Sequence, residues 1–148
     1  MANYAENRKA RFDYEILEKY ETGIELLGTE VKSVRAGQMS LEGAFVIVRG
    51  GEAFLINANI PPYQPKNAPK DYDPLRNRKL LLTKKEIAEL AGNEKNKSLT
   101  IMPISVYNKK RKIKVEIALV KGKKKTDKRE TIKKRETDRE IRREIKDH

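Results

Sequence analysis

The last 27 residues of the chain, Gly122 to His148, hold twelve Lys/Arg and seven Asp/Glu, and their only large apolar residues are Ile132, Ile141 and Ile145. So little apolar surface cannot offset the entropy of ordering the segment, which is expected to be mobile when free. A fold must therefore come from residues 1–121, with residues 122–148 as a basic C-terminal tail. The tail does have helix-forming chemistry: Glu130 with Lys134, and Asp138 with Arg142, are opposite charges at i,i+4. At about 100° per residue, Ile132 lies opposite Ile141 and Ile145, so no apolar stripe forms. That pattern suits an arm that turns helical on a polyanion better than a membrane-surface helix, which needs an apolar face. The bland alternative is a solvated tail with no partner. The sign of the charge and the position of Gly122-Lys123-Lys124-Lys125, directly after a predicted strand, argue against it.

The tail carries +5 of a chain net charge of +12, which leaves +7 on the first 121 residues. Two basic parts favour a polyanionic partner over an acidic peptide. The chain has no cysteine, which excludes disulfides and zinc ribbons. No apolar run approaches membrane-spanning length, and Met1-Ala2-Asn3-Tyr4-Ala5-Glu6 lacks a signal-peptide core, so a soluble cytoplasmic protein is expected.

Asp13 to Leu27 alternates, with Tyr14, Ile16, Tyr20, Ile24 and Leu26 on one phase and Glu15, Lys19, Glu21 and Glu25 on the other. This predicts one long half-buried strand, or two bent at Gly23. Thr29 to Arg35 reads as a short helix capped by Thr29 and ended by Gly37. Ala44 to Val48 and Ala53 to Ala58 form a hairpin about Gly50-Gly51. The polar, proline-rich stretch Ile60 to Asn77 is long for a compact domain, and such loops are usually functional or mobile. Thr83-Lys84-Lys85-Glu86 is a capping box for a helix through Ile87, Leu90 and Ala91, with Gly92 as its stop. Leu99 to Tyr107 is a strand whose Pro103 demands an edge or a bulge. In Arg111 to Leu119, Ile113, Val115, Ile117 and Leu119 point inward, and Lys112, Lys114 and Glu116 outward. About six short strands with two or three short helices fit a small, mainly β, OB-like antiparallel barrel.

Catalytic chemistry finds little support. The one histidine, His148, ends the tail, so no base stands beside a nucleophile, and no His or Cys cluster offers a metal site. Glu15, Glu21 and Glu25 share a strand face, but exposed strand acids are usually just solvated. No enzyme activity, metal or cofactor is expected. The better signal is cationic residues beside rings or, in one run, leucines. Asn7-Arg8-Lys9-Ala10-Arg11 precedes Phe12 and Tyr14, Arg76, Arg78 and Lys79 precede Leu80-Leu81-Leu82, and Tyr107 precedes Lys109-Lys110-Arg111-Lys112. Such groups neutralise phosphates and stack on bases. Core packing is the competing reading for the rings, most of all for Tyr14.

Several long stretches resemble one family, that of the SsrA-binding protein, or small protein B. They are Asn7-Arg8-Lys9-Ala10-Arg11, Tyr20-Glu21-Thr22-Gly23-Ile24, Gly28-Thr29-Glu30-Val31-Lys32-Ser33-Val34-Arg35-Ala36-Gly37, Gly51-Glu52-Ala53-Phe54-Leu55, Asp73-Pro74-Leu75-Arg76 with Arg78-Lys79-Leu80-Leu81-Leu82, and Lys121-Gly122-Lys123-Lys124 with Asp127-Lys128-Arg129. The resemblance runs from Asn7 to about Arg135. It implies an OB-type barrel with flanking helices and no enzyme activity. It further implies that the barrel grips the tRNA-like domain of transfer-messenger RNA at its D-loop and elbow. Alanine-charged RNA and elongation factor Tu complete the complex that enters a stalled ribosome. The protein, a monomer, takes the place of the missing anticodon arm, and the tail becomes a helix in the empty mRNA channel beside the decoding centre. A generic basic ribosomal or assembly protein binding structured rRNA is the alternative, and a nuclease using surface carboxylates a third reading.

By resemblance, Asn7, Arg8, Arg11, Glu21, Arg35, Leu81 and Lys114 are RNA-contact positions. Gly122, Lys123, Lys124, Asp127, Lys128 and Arg129 begin the ribosome-interacting tail. Glu21 and Lys114 fall on outward phases, as contacts require, and Glu21 suits specificity more than affinity. Leu81 has an apolar contact role with core packing as its rival. Two positions depart from the family: Thr126 stands where a histidine or another ring is common, and Asn108 where a tryptophan often follows the tyrosine. Stacking through those two side chains is not expected.

Overall fold

The computed structural model describes residues 3–67 and 70–122. Seven strands and three α-helices follow the chain as β1 (Ala5–Glu6), α1 (Arg8–Asp13), β2 (Tyr14–Gly23), α2 (Gly28–Arg35), β3 (Phe45–Arg49), β4 (Glu52–Ile56), β5 (Arg78–Leu80), α3 (Lys84–Glu94), β6 (Leu99–Lys109) and β7 (Lys112–Gly122). All pairings are antiparallel, in the order β2-β7-β6-β3-β4-β5, with β1 alongside β6. The two ends of this path are not joined as a sheet. They are tied by a bridge between Ile24 and Leu80, with Glu25 N–H donating to Lys79 O (2.9 Å) and Leu81 N–H to Gly23 O (3.0 Å). The OB-like class expected from the strand pattern is this arrangement. Among the described residues no helix is long and apolar enough to cross a membrane.

The β3–β4 hairpin follows its turn chemistry. Arg49 faces Glu52 across Gly50 and Gly51, both at positive φ (59° and 74°), which a two-residue turn between right-twisted strands requires. Val46, Val48, Ala53 and Leu55 from this hairpin are buried, together with Ile101, Val106, Val115, Ile117 and Leu119 from the β6–β7 hairpin and Leu90 from α3. The inward phase of β7 is the one its alternation announces.

Two bulges divide the sheet between two cores. In β2, Ile16 pairs with Val120 but Glu18 with Leu119, so the extra residue at Leu17 reverses the phase. Tyr14 and Ile16 consequently pack in a second cluster, outside the barrel, while Tyr20 packs against the main core. In β6 the register slips between Pro103 and Ser105, which sends Met102 and Ile104 outward and Val106 inward. Pro103 thus sits at a bulge in an interior strand and not on an edge. The second cluster, Ile104, Ala118 and Val120 with Tyr14, Ile16 and Met102, is covered by Ala10 of α1.

Three expectations are corrected here. Leu27, not Thr29, is the N-cap of α2, and its N–H is satisfied by the Glu30 carboxylate (2.8 Å). Helix α3 continues past Gly92 to Glu94, whose carboxylate accepts from Val48 N–H (2.8 Å) and Arg49 Nη1 (2.6 Å) and so docks the last turn on β3. The run Arg76, Arg78, Lys79 is not a free basic patch. Arg78 is completely buried and Arg76 about two-thirds so, and both are bound to Glu30.

Glu30 is the charged centre of the main core. Its Oε2 accepts from Arg78 Nε (3.0 Å) and Nη2 (2.5 Å), Arg76 Nε (3.1 Å) and the Tyr72 hydroxyl (3.0 Å), and its Oε1 accepts from Arg76 Nη2 and Leu27 N–H. Arg78 also donates to Ala58 O (2.6 Å), and the single Tyr72 hydroxyl proton is shared between Glu30 and Ile60 O (2.7 Å). The long Ile60–Asn77 loop is thereby stapled to the barrel through Tyr72 and Arg76. Burial pushes the Glu30 carboxyl up, but the hydrogen bonds from Arg76, Leu27 N–H and Arg78 outweigh it and hold it at about 2.

Replacing Glu30 with Gln leaves Arg78 a buried, uncompensated cation and should lower unfolding free energy by about 3 kcal/mol or more, read from the denaturant midpoint. Because the folded carboxyl sits near 2 against 4.5 unfolded, its contribution is complete above pH 4.5 and is lost as pH falls from there toward 2. The wild-type melting temperature should therefore drop more steeply across that window than that of Glu30→Gln.

Candidate RNA-binding face

The even residues of β7 (Lys112, Lys114, Glu116, Ala118, Val120) share the barrel exterior, because β7 itself carries no bulge. Ala118 and Val120 lie under α1, while Lys114 and Glu116 continue the same face beyond it. One exterior surface therefore holds α1 at one end and a strip of charged side chains at the other.

Within the strip, Glu21 on β2 lies opposite Glu116, and Gly23 opposite Lys114, while Tyr107 on β6 faces Lys114 from the other side. Carboxylates directly across a ladder repel. Here Lys19 Nζ stands 3.5 Å from Glu116 Oε1, and Glu21 accepts from Lys109 Nζ (3.0 Å) and from the Tyr107 hydroxyl. The Tyr107 hydrogen bond, then the Lys109 one, hold the Glu21 carboxyl below the ordinary range, with Lys114 adding to the pull. Burial and the Glu21 carboxylate in turn push the Tyr107 hydroxyl up. An ionised carboxylate has about four acceptor sites. Two are used, so Glu21 retains capacity for base amines or ribose hydroxyls.

Next to this cluster runs a groove of about 390 Å³ between β2, α2 and β7. Gly23, Val31, Leu81 and Ile113 give it apolar walls, and Arg35, Arg111, Lys112 and Lys114 line it with cations. Leu81 is 53% exposed, so it is not packed into the core. A Cβ on Gly23 would come within 3.1 Å of Leu81 Cδ1, so glycine lets Leu81 lie close against β2. Arg35, at the end of α2, donates through Nη2 to Arg111 O (3.0 Å). Lys110 and Arg111 form the β6–β7 turn at φ 51° and 68°, a left-handed conformation costing a non-glycine residue about 1–2 kcal/mol.

The structure thus gathers Glu21, Arg35, Leu81 and Lys114 around one groove and its border. Arg8 and Arg11 lie apart from it on α1, where with Lys9 and Phe12 they line a shallow depression, and the Arg8 side chain is 92% exposed. Asn7 is placed differently, at 6% exposure. Its Oδ1 caps α1 by accepting from Ala10 N–H (3.1 Å), and its Nδ2 donates to Pro103 O (3.0 Å) at the β6 bulge. Its amide fixes where Arg8 and Arg11 sit. Gly122 closes β7 opposite Tyr14. Lys123, Lys124, Thr126, Asp127, Lys128 and Arg129 lie outside the described residues. Tyr107 and Lys109, from the ring-and-cation run expected to meet nucleic acid, join the face, as does Glu116, which the alternation of β7 places outward. Among the described residues no group of three or more His, Asp or Glu could hold a metal ion.

Comparison with known proteins points to one family. The family model described as SmpB protein matches residues 4–147. The SsrA-binding protein of Synechococcus elongatus is 52% identical over 142 residues, covering 96% of this chain and 92% of that one. Those of Sulfurihydrogenibium sp. and Enterococcus faecalis are 54% and 50% identical, covering 96% and 97% of this chain and 93% of each relative. A solved structure described as "tmRNA-SmpB: a journey to the center of the bacterial ribosome" superposes with a TM-score of 0.68 at 49% identity, over 81% of this chain and 84% of that one.

Carbon-detected NMR should find the Glu21 carboxyl titrating below 4.5, and Tyr107→Phe should move that midpoint upward. An unmoved midpoint would remove the phenol from the electrostatics of this face.

Proposed function

The chain belongs to the SmpB family, and from that membership we propose that it binds the tRNA-like domain of transfer-messenger RNA and brings it to stalled ribosomes for trans-translation. The observation that carries this reading is the exterior face of β2, β7 and β6, where Glu21 and Lys114 border an apolar groove lined by four cations. Cations supply phosphate attraction, which is insensitive to sequence. Glu21 adds the opposite property: it repels phosphate and rewards a hydrogen-bond donor placed at one point. Leu81 and Ile113 offer apolar contact to an unstacked base. Arg8 and Arg11 extend the positive surface along α1.

Gly122, the first residue of the tail, pairs with Tyr14 at the α1 end of the same face. With RNA held by the barrel, Lys123, Lys124, Asp127, Lys128 and Arg129 act on the ribosome, at the decoding centre and in the mRNA channel. Elongation factor Tu meets the protein through the shared alanyl-RNA. The protein works as a monomer and is not itself an enzyme.

Removing residues 123–148 should leave affinity for the tRNA-like domain within about twofold and abolish peptide tagging in a reconstituted stalled-ribosome assay. Normal tagging by the truncated protein would overturn the tail's role. Glu21→Ala should cost under about 1 kcal/mol of stability, as exposed ion pairs do, yet erase the preference for the tRNA-like domain over an rRNA fragment. A preserved preference would favour the generic rRNA-binding alternative.

A further inference from the structure

The β6–β7 turn is made of residues that disfavour its geometry. Lys109 pairs with Lys112, leaving Lys110 and Arg111 as the two central residues of a turn with both φ values positive. Asn-Gly or Gly-Gly normally occupies such a turn, and four adjacent cations add mutual repulsion. The Gly50-Gly51 turn of the β3–β4 hairpin shows what the same geometry looks like with compatible residues.

The holding contact comes from Arg35. Its Nη2 donates to the carbonyl of Arg111 at 3.0 Å, and its Nη1 stands 3.5 Å from both Asn108 Oδ1 and the Tyr4 hydroxyl. The guanidinium is thus turned toward the protein on both its arms. Its base is firm: Arg35 ends a helix whose Glu30 is buried in the ion cluster and whose Ser33 hydroxyl donates to Pro61 O at 2.6 Å. The fixed fork of a guanidinium suits this brace, where a lysine would offer a single point charge.

We propose that Arg35 is a positioning residue: it braces the Lys110–Arg111 turn in its left-handed form and so presents the cations of the hairpin tip, Lys109 to Lys112, as a preformed clamp for the RNA backbone. The inference rests on the RNA-binding reading for what the clamp holds, but the brace itself needs no RNA to be seen.

Amide hydrogen exchange on the free, full-length protein tests the brace. Arg35→Gln should speed exchange at Lys112 and Ile113 by about tenfold, with the melting temperature of the barrel nearly unchanged. Adding Lys110→Asn and Arg111→Gly, which form this turn unaided, should restore protection. Exchange unaltered by Arg35→Gln overturns the proposal. Binding of the tRNA-like domain across a salt series tests the clamp. A lost direct phosphate contact lowers the slope of log K against log salt by about 0.9, whereas a lost clamp lowers it by two or more such steps. A drop of one step, additive with Lys110→Gln and Arg111→Gln, would make Arg35 an ordinary contact and overturn the proposal. Failure of the wild-type protein to bind the RNA would strike the functional reading and leave the exchange result standing.

Discussion

A buried carboxylate held by two arginines organises this barrel. Desolvating Glu30 and Arg78 together costs several kcal/mol per ion, and their attraction repays it only because nearly every donor is used. The hydrogen bonds reach four separate places: the start of α2, the strand β5, the loop through Tyr72 and Arg76, and the carbonyls of Ala58 and Ile60. β5 is also the strand whose end meets Gly23 and Ile24, where the sheet path is tied. The position of Leu81 against Gly23, and that of Arg35 at the far end of α2, both depend on that cluster. The face proposed for RNA is in this sense an outer consequence of an inner ion pair.

The two bulges supply the other half of the arrangement. Without the extra residue in β2, Ile16 and Tyr20 would share one face, and Tyr14 and Ile16 would be missing from the apolar patch that α1 covers. Without the slip at Pro103, Ile104 and Val106 would share one face. Both shifts lie on strands flanking β7, which stays regular and carries apolar residues at one end of its outer face and charged ones at the other. This places the arginines of α1 on the surface that also carries Glu21 and Lys114. Asn7 ties the two devices together, capping the helix and binding the bulge carbonyl with one amide.

Much of this was legible in the residues. The alternation of β7, the paired glycines of the first hairpin and the Thr83 capping box each express one local rule, and each element formed accordingly. Gly37 closes α2 at positive φ, as its position suggests. Glu21 was readable as outward because β2 keeps its phase on that side of the bulge. Other features were hidden for physical reasons. Arg78 faces inward from a three-residue strand, and a basic run carries no sign of which cation will be buried. β1 is two residues long, too short for any period. α1 buries one alanine, so its only marker was Asn7 as a cap. The Lys110–Arg111 turn carries none of the residues that announce such turns. The family resemblance located Arg35 and Leu81 without saying what either touches.

Lysine-modification footprinting, with and without the tRNA-like domain of transfer-messenger RNA, tests the central claim most directly. The exterior of β2, β7 and β6 as the RNA face predicts that Lys109, Lys110, Lys112 and Lys114 lose reactivity on binding. Exposed Lys84 and Lys85 on α3, and Lys95 and Lys97 just beyond it, should keep theirs. Protection centred on α3, or spread evenly over all these lysines, would contradict the account.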